Sequence, residues 1–174
     1  MVSKDVLFKT THGSRLYGLS HDTSDFDYYE VVRDGSTKKK RFDIHLIVGD
    51  IDTSTLDWST WEADLKAGQP KALEAMFATG NNVLVDRIPD YRAAFVAGND
   101  YSQYLGIMKK LRFEYPDSVK HKQHILRLAL NMKSLRERGK FNPTLGRVEK
   151  ELVKSLAQLP VEHVYNDALA LAWS

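Results

Sequence analysis

Apolar residues change their spacing part-way along this chain, and that change limits the folds open to it. Up to about Asp57 they alternate or cluster with β-branched and aromatic residues, as in strands; beyond it they recur every three or four residues, as on helices. Val6-Leu7-Phe8-Lys9-Thr10 reads as a short strand, and Asp25 to Val32 as a second. Asp34-Gly35 and Lys38-Lys39-Lys40 suggest a solvated hairpin tip. Arg41 to Val48 then returns as a strand beside the Asp25 strand, with Ile44, Leu46 and Val48 at period two, and Asp50 to Leu56 adds a further sheet element. Trp58, Trp61 and Leu65, then Leu73, Met76 and Phe77, have helical spacing across a break at Gly68-Gln69-Pro70. Both tryptophans read as core. Helices are predicted over roughly 88–97, 101–113, 117–138, 145–158 and 160–171. The expected class is α+β, a small β-rich part over residues 1–85 followed by an all-helical part over 86–174.

Composition excludes several chemistries. The chain has 174 residues and no cysteine, so disulfides, thiolate nucleophiles and zinc–thiolate sites are ruled out. No run of about 18 apolar residues is present, so no membrane association is expected. Met1 to Asp5 lacks the apolar stretch of a signal peptide, and a cytoplasmic location fits. The net charge of +2 hides an asymmetry: eight aspartates, from Asp22 to Asp57, crowd the first third, whereas Lys109 to Lys154 holds thirteen Lys/Arg against five Asp/Glu. An acidic end beside a basic one could be a metal site with a phosphate-binding wall, or simply two solvated faces.

Gly13-Ser14, ten residues, and then Asp25-x-Asp27 on a predicted strand is the informative constellation. Side chains two apart on a strand share a face, so Asp25 and Asp27 could hold one divalent cation. Magnesium takes hard oxygen ligands and commonly combines one or two carboxylates with substrate phosphates. Gly13 lets backbone approach a phosphate, Ser14 adds a hydroxyl donor and Arg15 adds charge. An Asp-x-Asp pair alone is usually solvated, and a Gly-Ser alone is usually a cap; their strand–turn–helix–strand order makes the combination informative. Phe26 and Tyr28 are expected to fill the opposite, core-facing side of the strand. On the 117–138 helix, Lys120, His124, Arg127 and Asn131 form a polar stripe beside the apolar stripe of Ile125, Leu128, Met132 and Leu135. Lys120 and Arg127 could hold phosphate oxygens, or the stripe could be a basic helix edge in water; His124 reads as a hydrogen-bonding group rather than a metal ligand. His12 and His21 flank the motif loop and read as surface or supporting groups.

Gly13-Ser14-Arg15-Leu16-Tyr17-Gly18, followed by Ser24-Asp25-Phe26-Asp27, resembles the DNA polymerase β-like nucleotidyltransferase superfamily. It is most similar to a bacterial and phage branch of predicted nucleotidyltransferases, which also carries a Pro-x-x-Leu-Glu stretch like Pro70 to Glu74 and a Lys-x-x-x-His-x-x-Arg helix like Lys120 to Arg127. The resemblance implies a catalytic domain over 1–85, with a helical C-terminal domain over 86–174. It implies transfer of a nucleoside monophosphate from an NTP to a hydroxyl or amine of an RNA, a protein or a small molecule, with release of pyrophosphate. The cofactor would be one or two Mg²⁺ ions, with Mn²⁺ as the substitute. A third carboxylate is implied on a neighbouring strand: Asp52 is the choice, with Asp57 and Asp43 as alternatives. Two other readings stay open, a catalytically weak module that binds nucleotide or nucleic acid, and a toxin–antitoxin-type nucleotidyltransferase. For a phage-encoded chain the location would be the host cytoplasm.

Overall fold

A computed structural model describes residues 5–36 and 44–174. The Lys38–Lys40 run and Asp43 lie outside the described residues. The chain is α+β and divides into two compact units, Met1–Lys66 with Lys71–Phe95, and Ala67–Pro70 with Val96–Ser174. The divide therefore falls after Phe95, and the segment from 86 to 95 groups with the sheet.

The first unit is built on a five-stranded sheet. Its strands are β1 (Val6–His12), β2 (Phe26–Val32), β3 (Ile44–Val48), β4 (Ile51–Asp57) and β5 (Val83–Asp86), in the order β3-β4-β2-β1-β5. Pairing is antiparallel except between β2 and β4. Two expectations change here. β3 does not pair with β2; it turns back through Gly49-Asp50 onto β4, with Val48 opposite Ile51. Gly49 has φ +60°, the left-handed backbone that a two-residue hairpin loop demands. β4 then lies between β3 and β2. The second change is β5, which the sequence reading did not assign. Its four residues alternate between half-buried and exposed, so they present no apolar run.

Helices α1 (Gly13–Tyr17), α2 (Trp58–Lys66), α3 (Pro70–Phe77) and α4 (Pro89–Ala94) complete this unit, with Pro70 alone of α3 grouping elsewhere. Trp61 is fully buried and stacks on Phe8 of β1 with ring centroids 5.8 Å apart. α4 begins with Pro89, where a missing N–H costs nothing, and stops at Ala94, three residues before its predicted end. Arg92 of α4 donates from Nε to the Met76 carbonyl at 3.1 Å, donates also to the Ala78 carbonyl, and pairs with Asp86 at 2.5 Å. One guanidinium thus satisfies carbonyls at the end of α3 and joins α4 to β5.

The second unit is helical: α5 (Ser102–Glu114), α6 (Val119–Arg138), α7 (Arg147–Leu156) and α8 (Val161–Trp173). Ile125, Leu128, Met132 and Leu135 of α6 are buried, as their spacing predicts, and α5 and α8 pack on α6. Burial of each such side chain is worth about 1.5–3 kcal/mol. α6 starts on the Ser118 hydroxyl, which accepts from the His121 N–H, and ends at Gly139 with φ +69°. A Cβ on Gly139 would stand 2.5 Å from a Val96 methyl, so the tight exit needs glycine twice over. Among the described residues no helix is long and apolar enough to cross a membrane.

Candidate active site

Strand register arranges three rows of side chains on one face of the sheet. Phe8, Val31 and Leu56 form an apolar row; Thr10, Tyr29 and Ser54 form the next; His12, Asp27 and Asp52 form the last. The first six are buried and the last three are half-buried. Side chains at period two share a face, so this is the face that α2 and α3 cover, and it runs from apolar to ionic along the strands. Asp27 and Asp52 are direct neighbours on parallel strands, which lie about 4.8 Å apart.

That arrangement reverses one expectation. Phe26 and Tyr28 do not fill the core-facing side. Tyr29 and Val31 do, on the same face as Asp27, whereas Phe26 is 42% exposed on the other. The even-numbered aromatics are covered by cations instead. The Arg15 guanidinium lies 3.7 Å from the Phe26 ring centroid, and the Lys9 ammonium lies 5.1 Å from that of Tyr28. Asp27 is therefore held at the end of a covered face, where water is partly excluded.

Gly13 opens α1 directly against this row. Its φ is +62°, and a Cβ there would stand 2.2 Å from Asp27 Oδ2. Glycine is thus required both by backbone conformation and by contact with the carboxylate. Ser14 follows within α1. Arg15 donates from Nε to the Asp25 carbonyl at 3.1 Å and from a terminal nitrogen to the Ser24 carbonyl at 2.5 Å. Its guanidinium fastens the loop that carries Asp25, a structural task beyond the charge expected of it. Asp25 is exposed and immediately precedes β2, whose first N–H donates to the Asp50 carbonyl at 2.8 Å. His21 is exposed in the same loop, its Nδ1 2.9 Å from the Thr23 hydroxyl.

The sequence reading assigned no role to two residues of α3 that face this row. Glu74 is only 3% exposed. It accepts from the Tyr17 hydroxyl of α1 and lies 3.6 Å from His12 Nε2. His12 is thus half-buried and paired across elements. Lys71, three residues earlier and on the same helical face, donates to Ser54 Oγ at 2.7 Å and lies 5.7 Å from the Tyr29 ring centroid. One signal in the sequence was available: Lys71 and Glu74 are the only charges in a helix otherwise made of Pro, Ala, Leu, Met and Phe.

The third carboxylate candidates separate by register. Asp52 pairs with Asp27, while Asp57 pairs with Val32 at the far end of β4. Five residues apart on a strand, the two point to opposite faces. Among the described residues no three His, Asp or Glu side chains converge as a metal-binding set. Two adjacent carboxylates nevertheless fit magnesium, which fills the rest of its shell with water and phosphate oxygens.

In the second unit, the α6 stripe is graded: Lys120 is exposed, His124 half-buried, and Arg127 and Asn131 buried. Burial, together with the charges of Arg127, His121 and Lys120, pushes the His124 pKa down to about 3, so its imidazole is neutral. Other cations of this unit bind backbone carbonyls: Arg136 donates to the Ala172 carbonyl in the last turn of α8 at 2.8 Å, and Lys122 to the Leu159 carbonyl between α7 and α8 at 2.9 Å.

No protein-family model matches the sequence, and none of the curated proteins is similar to it. Among solved structures the chain is similar to a nucleotidyltransferase-like protein from Exiguobacterium sibiricum, with 14% identity over 98% of this chain and 68% of that one, at a TM-score of 0.38. At that distance the likeness extends to no individual residue.

Proposed function

We propose that the chain is a nucleotidyltransferase whose chemistry resides in the first unit. The observation that carries this reading is the juxtaposition of Asp27 and Asp52 in register on β2 and β4, with Gly13 against the Asp27 carboxylate. Two carboxylates at the rim of a water-poor face suit a divalent cation and, through it, a polyphosphate. Asp27 and Asp52 would hold Mg²⁺, or Mn²⁺ in its place, with Asp25 at the start of β2 as a further ligand. When bound, the ion would neutralise charge on the phosphates.

The acceptor hydroxyl or amine attacks the α-phosphorus of an NTP. The new P–O or P–N bond forms as the bond to pyrophosphate breaks, and an aspartate accepts the acceptor proton. Gly13 and Ser14 would lie against the phosphates. Arg15 would hold the Asp25 loop in place, and Glu74, through His12 and Tyr17, would fix the end of β1 and α1. Catalysis then comes chiefly from positioning and charge neutralisation. The acceptor class is an RNA, a protein or a small molecule. Lys120, His124 and Arg127 of α6 are a second candidate set for phosphate contact, on the charge of Lys120 and Arg127 alone.

Incubation with each labelled NTP and Mg²⁺, against RNA and against the protein itself, tests the reading. Label on either acceptor supports it. No transfer to any acceptor, together with no metal-dependent NTP binding, would remove it.

A further inference from the structure

The turn between α5 and α6 fixes an aromatic ring and leaves it half open to solvent. Tyr115 stacks on the His121 imidazole, with ring centroids 3.9 Å apart and planes 8° from parallel. The imidazole is itself held, its Nδ1 2.7 Å from the Ser118 hydroxyl. The Tyr115 backbone is tied on both sides: its N–H donates to the Leu111 carbonyl at 3.0 Å, and its carbonyl accepts from the Ser118 N–H at 3.2 Å. His121 covers one face of the ring, yet Tyr115 stays 44% exposed, so the other face is open. Phe113 and Val119 on the same turn are exposed too, which makes an apolar patch rather than a single ring. Cations border it from both helices. Of the five Lys/Arg between Lys109 and Lys122, Lys110 lies 3.9 Å from Glu114, Arg112 pairs with Glu162, and Lys122 donates to the Leu159 carbonyl. Lys109 of α5 and Lys120 of α6 are exposed and, among the described residues, form no ion pair. Against these two the turn sets Asp117. An open ring face between cations offers stacking to a planar group and charge to phosphates on either side of it. A base inside a duplex has both faces taken, so only an unpaired base can use the ring.

We propose that the α5–α6 turn binds single-stranded nucleic acid, with an unpaired base on the open face of Tyr115 and flanking phosphates on Lys109 and Lys120. The base extends the Tyr115–His121 stack by one layer. Because the ring is already held, little side-chain entropy is lost on binding. Stacking does not read the sugar, so RNA and DNA strands share this chemistry. The surface lies wholly within the second unit and does not depend on the nucleotidyltransferase reading; under that reading it would hold a nucleic-acid acceptor.

The test is fluorescence anisotropy on the full chain with four labelled probes: a short uridine strand, a thymidine strand, an abasic strand of the same length, and a blunt hairpin duplex. EDTA is present, so no metal-bridged contact in the first unit contributes. Thermal melts confirm folding of each variant. Wild type should bind the uridine or thymidine strand more tightly than the abasic strand or the duplex. Binding of the uridine strand alone would assign RNA, and of both strands single-stranded nucleic acid in general; either upholds the proposal. Tyr115→Ala should weaken the base-bearing strands about 5- to 100-fold, the range for one stacked base, and leave the abasic strand within about twofold. Tyr115→Leu, which keeps an apolar side chain without a π-face, should show the same loss, and Tyr115→Trp should retain the affinity. Lys120→Gln should weaken base-bearing and abasic strands alike and reduce the slope of log K against log salt by about 0.7. A wild type that binds no single strand, or binds the duplex as tightly, would overturn the proposal. So would undiminished binding in Tyr115→Ala and Tyr115→Leu, or equal losses for base-bearing and abasic strands in them. None of these outcomes bears on metal-dependent NTP binding, which tests the first unit separately.

Discussion

The two faces of the five-stranded sheet solve opposite problems. On the covered face, polar residues sit in register with the core, and its deeply buried Glu74 and Ser54 have partners from other elements: Glu74 has Tyr17 and His12, and Ser54 has Lys71, whereas the buried Thr10 hydroxyl makes no hydrogen bond among the described residues. On the other face, aromatic residues meet solvent, and Arg15 and Lys9 lie over their rings. Desolvating a carboxylate is expensive, whereas exposing part of a phenyl ring costs little. Ionic groups kept on the expensive face therefore point to chemistry, and those on the cheap face need only solubility. The candidate site belongs to the covered face for that reason.

Substitutions should sharpen or break this contrast. The largest effect is expected at Glu74. Glu74→Ala leaves His12 and the Tyr17 hydroxyl without their buried acceptor and should cost about 3–5 kcal/mol in denaturant unfolding. A loss under about 1 kcal/mol would mean that the covered face tolerates ionic groups without partners. Gly13→Ala comes next. Left-handed backbone and the clash with Asp27 together should cost about 1–3 kcal/mol, and wild-type stability in that variant would show that α1 does not press on the carboxylate.

A comparison of histidines gives the third effect. Whereas His12 stands beside Glu74, His124 of α6 stands among Arg127, His121 and Lys120. Its folded pKa, about 3, lies below the ordinary 6.5, so the unfolded chain binds the extra proton. Its contribution to stability is complete above pH 6.5 and is lost as pH falls toward 3, with a slope of up to about 1.4 kcal/mol per pH unit. His124→Gln should flatten stability against pH in that window; an unaltered curve would show that the imidazole titrates normally. The smallest effect belongs to the other face of the sheet. Phe26→Ala should cost less than about 1 kcal/mol, since it removes a half-exposed ring and one cation–π contact. A multi-kilocalorie loss would mean that this face is a second core.

The sequence made the α+β class, the main helices and the Gly13–Asp27 constellation legible, because each depends on local spacing. Non-local pairing was less accessible. The Gly49-Asp50 turn directs β3 onto β4, and only that insertion makes β2 and β4 neighbours. Choosing Asp52 over Asp57 on local grounds could not show that Asp52 lies beside Asp27, since register across a parallel pair has no signature in either strand. Aromatic content misled the reading of β2: Phe26 and Tyr28 are good strand formers, but which face is covered depends on where α2 and α3 pack. Glu74 was visible only as part of a short motif, because its burial depends on Tyr17 and His12, more than fifty residues away.

The most direct test is Mg²⁺-dependent NTP binding by calorimetry in Asp27→Asn, Asp52→Asn and Asp57→Asn, with a thermal melt of each. Binding should disappear in Asp27→Asn and Asp52→Asn, with melting temperatures near wild type, and persist in Asp57→Asn at the far end of the same strand. Undiminished binding in Asp52→Asn, or loss in Asp57→Asn alone, would contradict a metal site built on the β2–β4 pair.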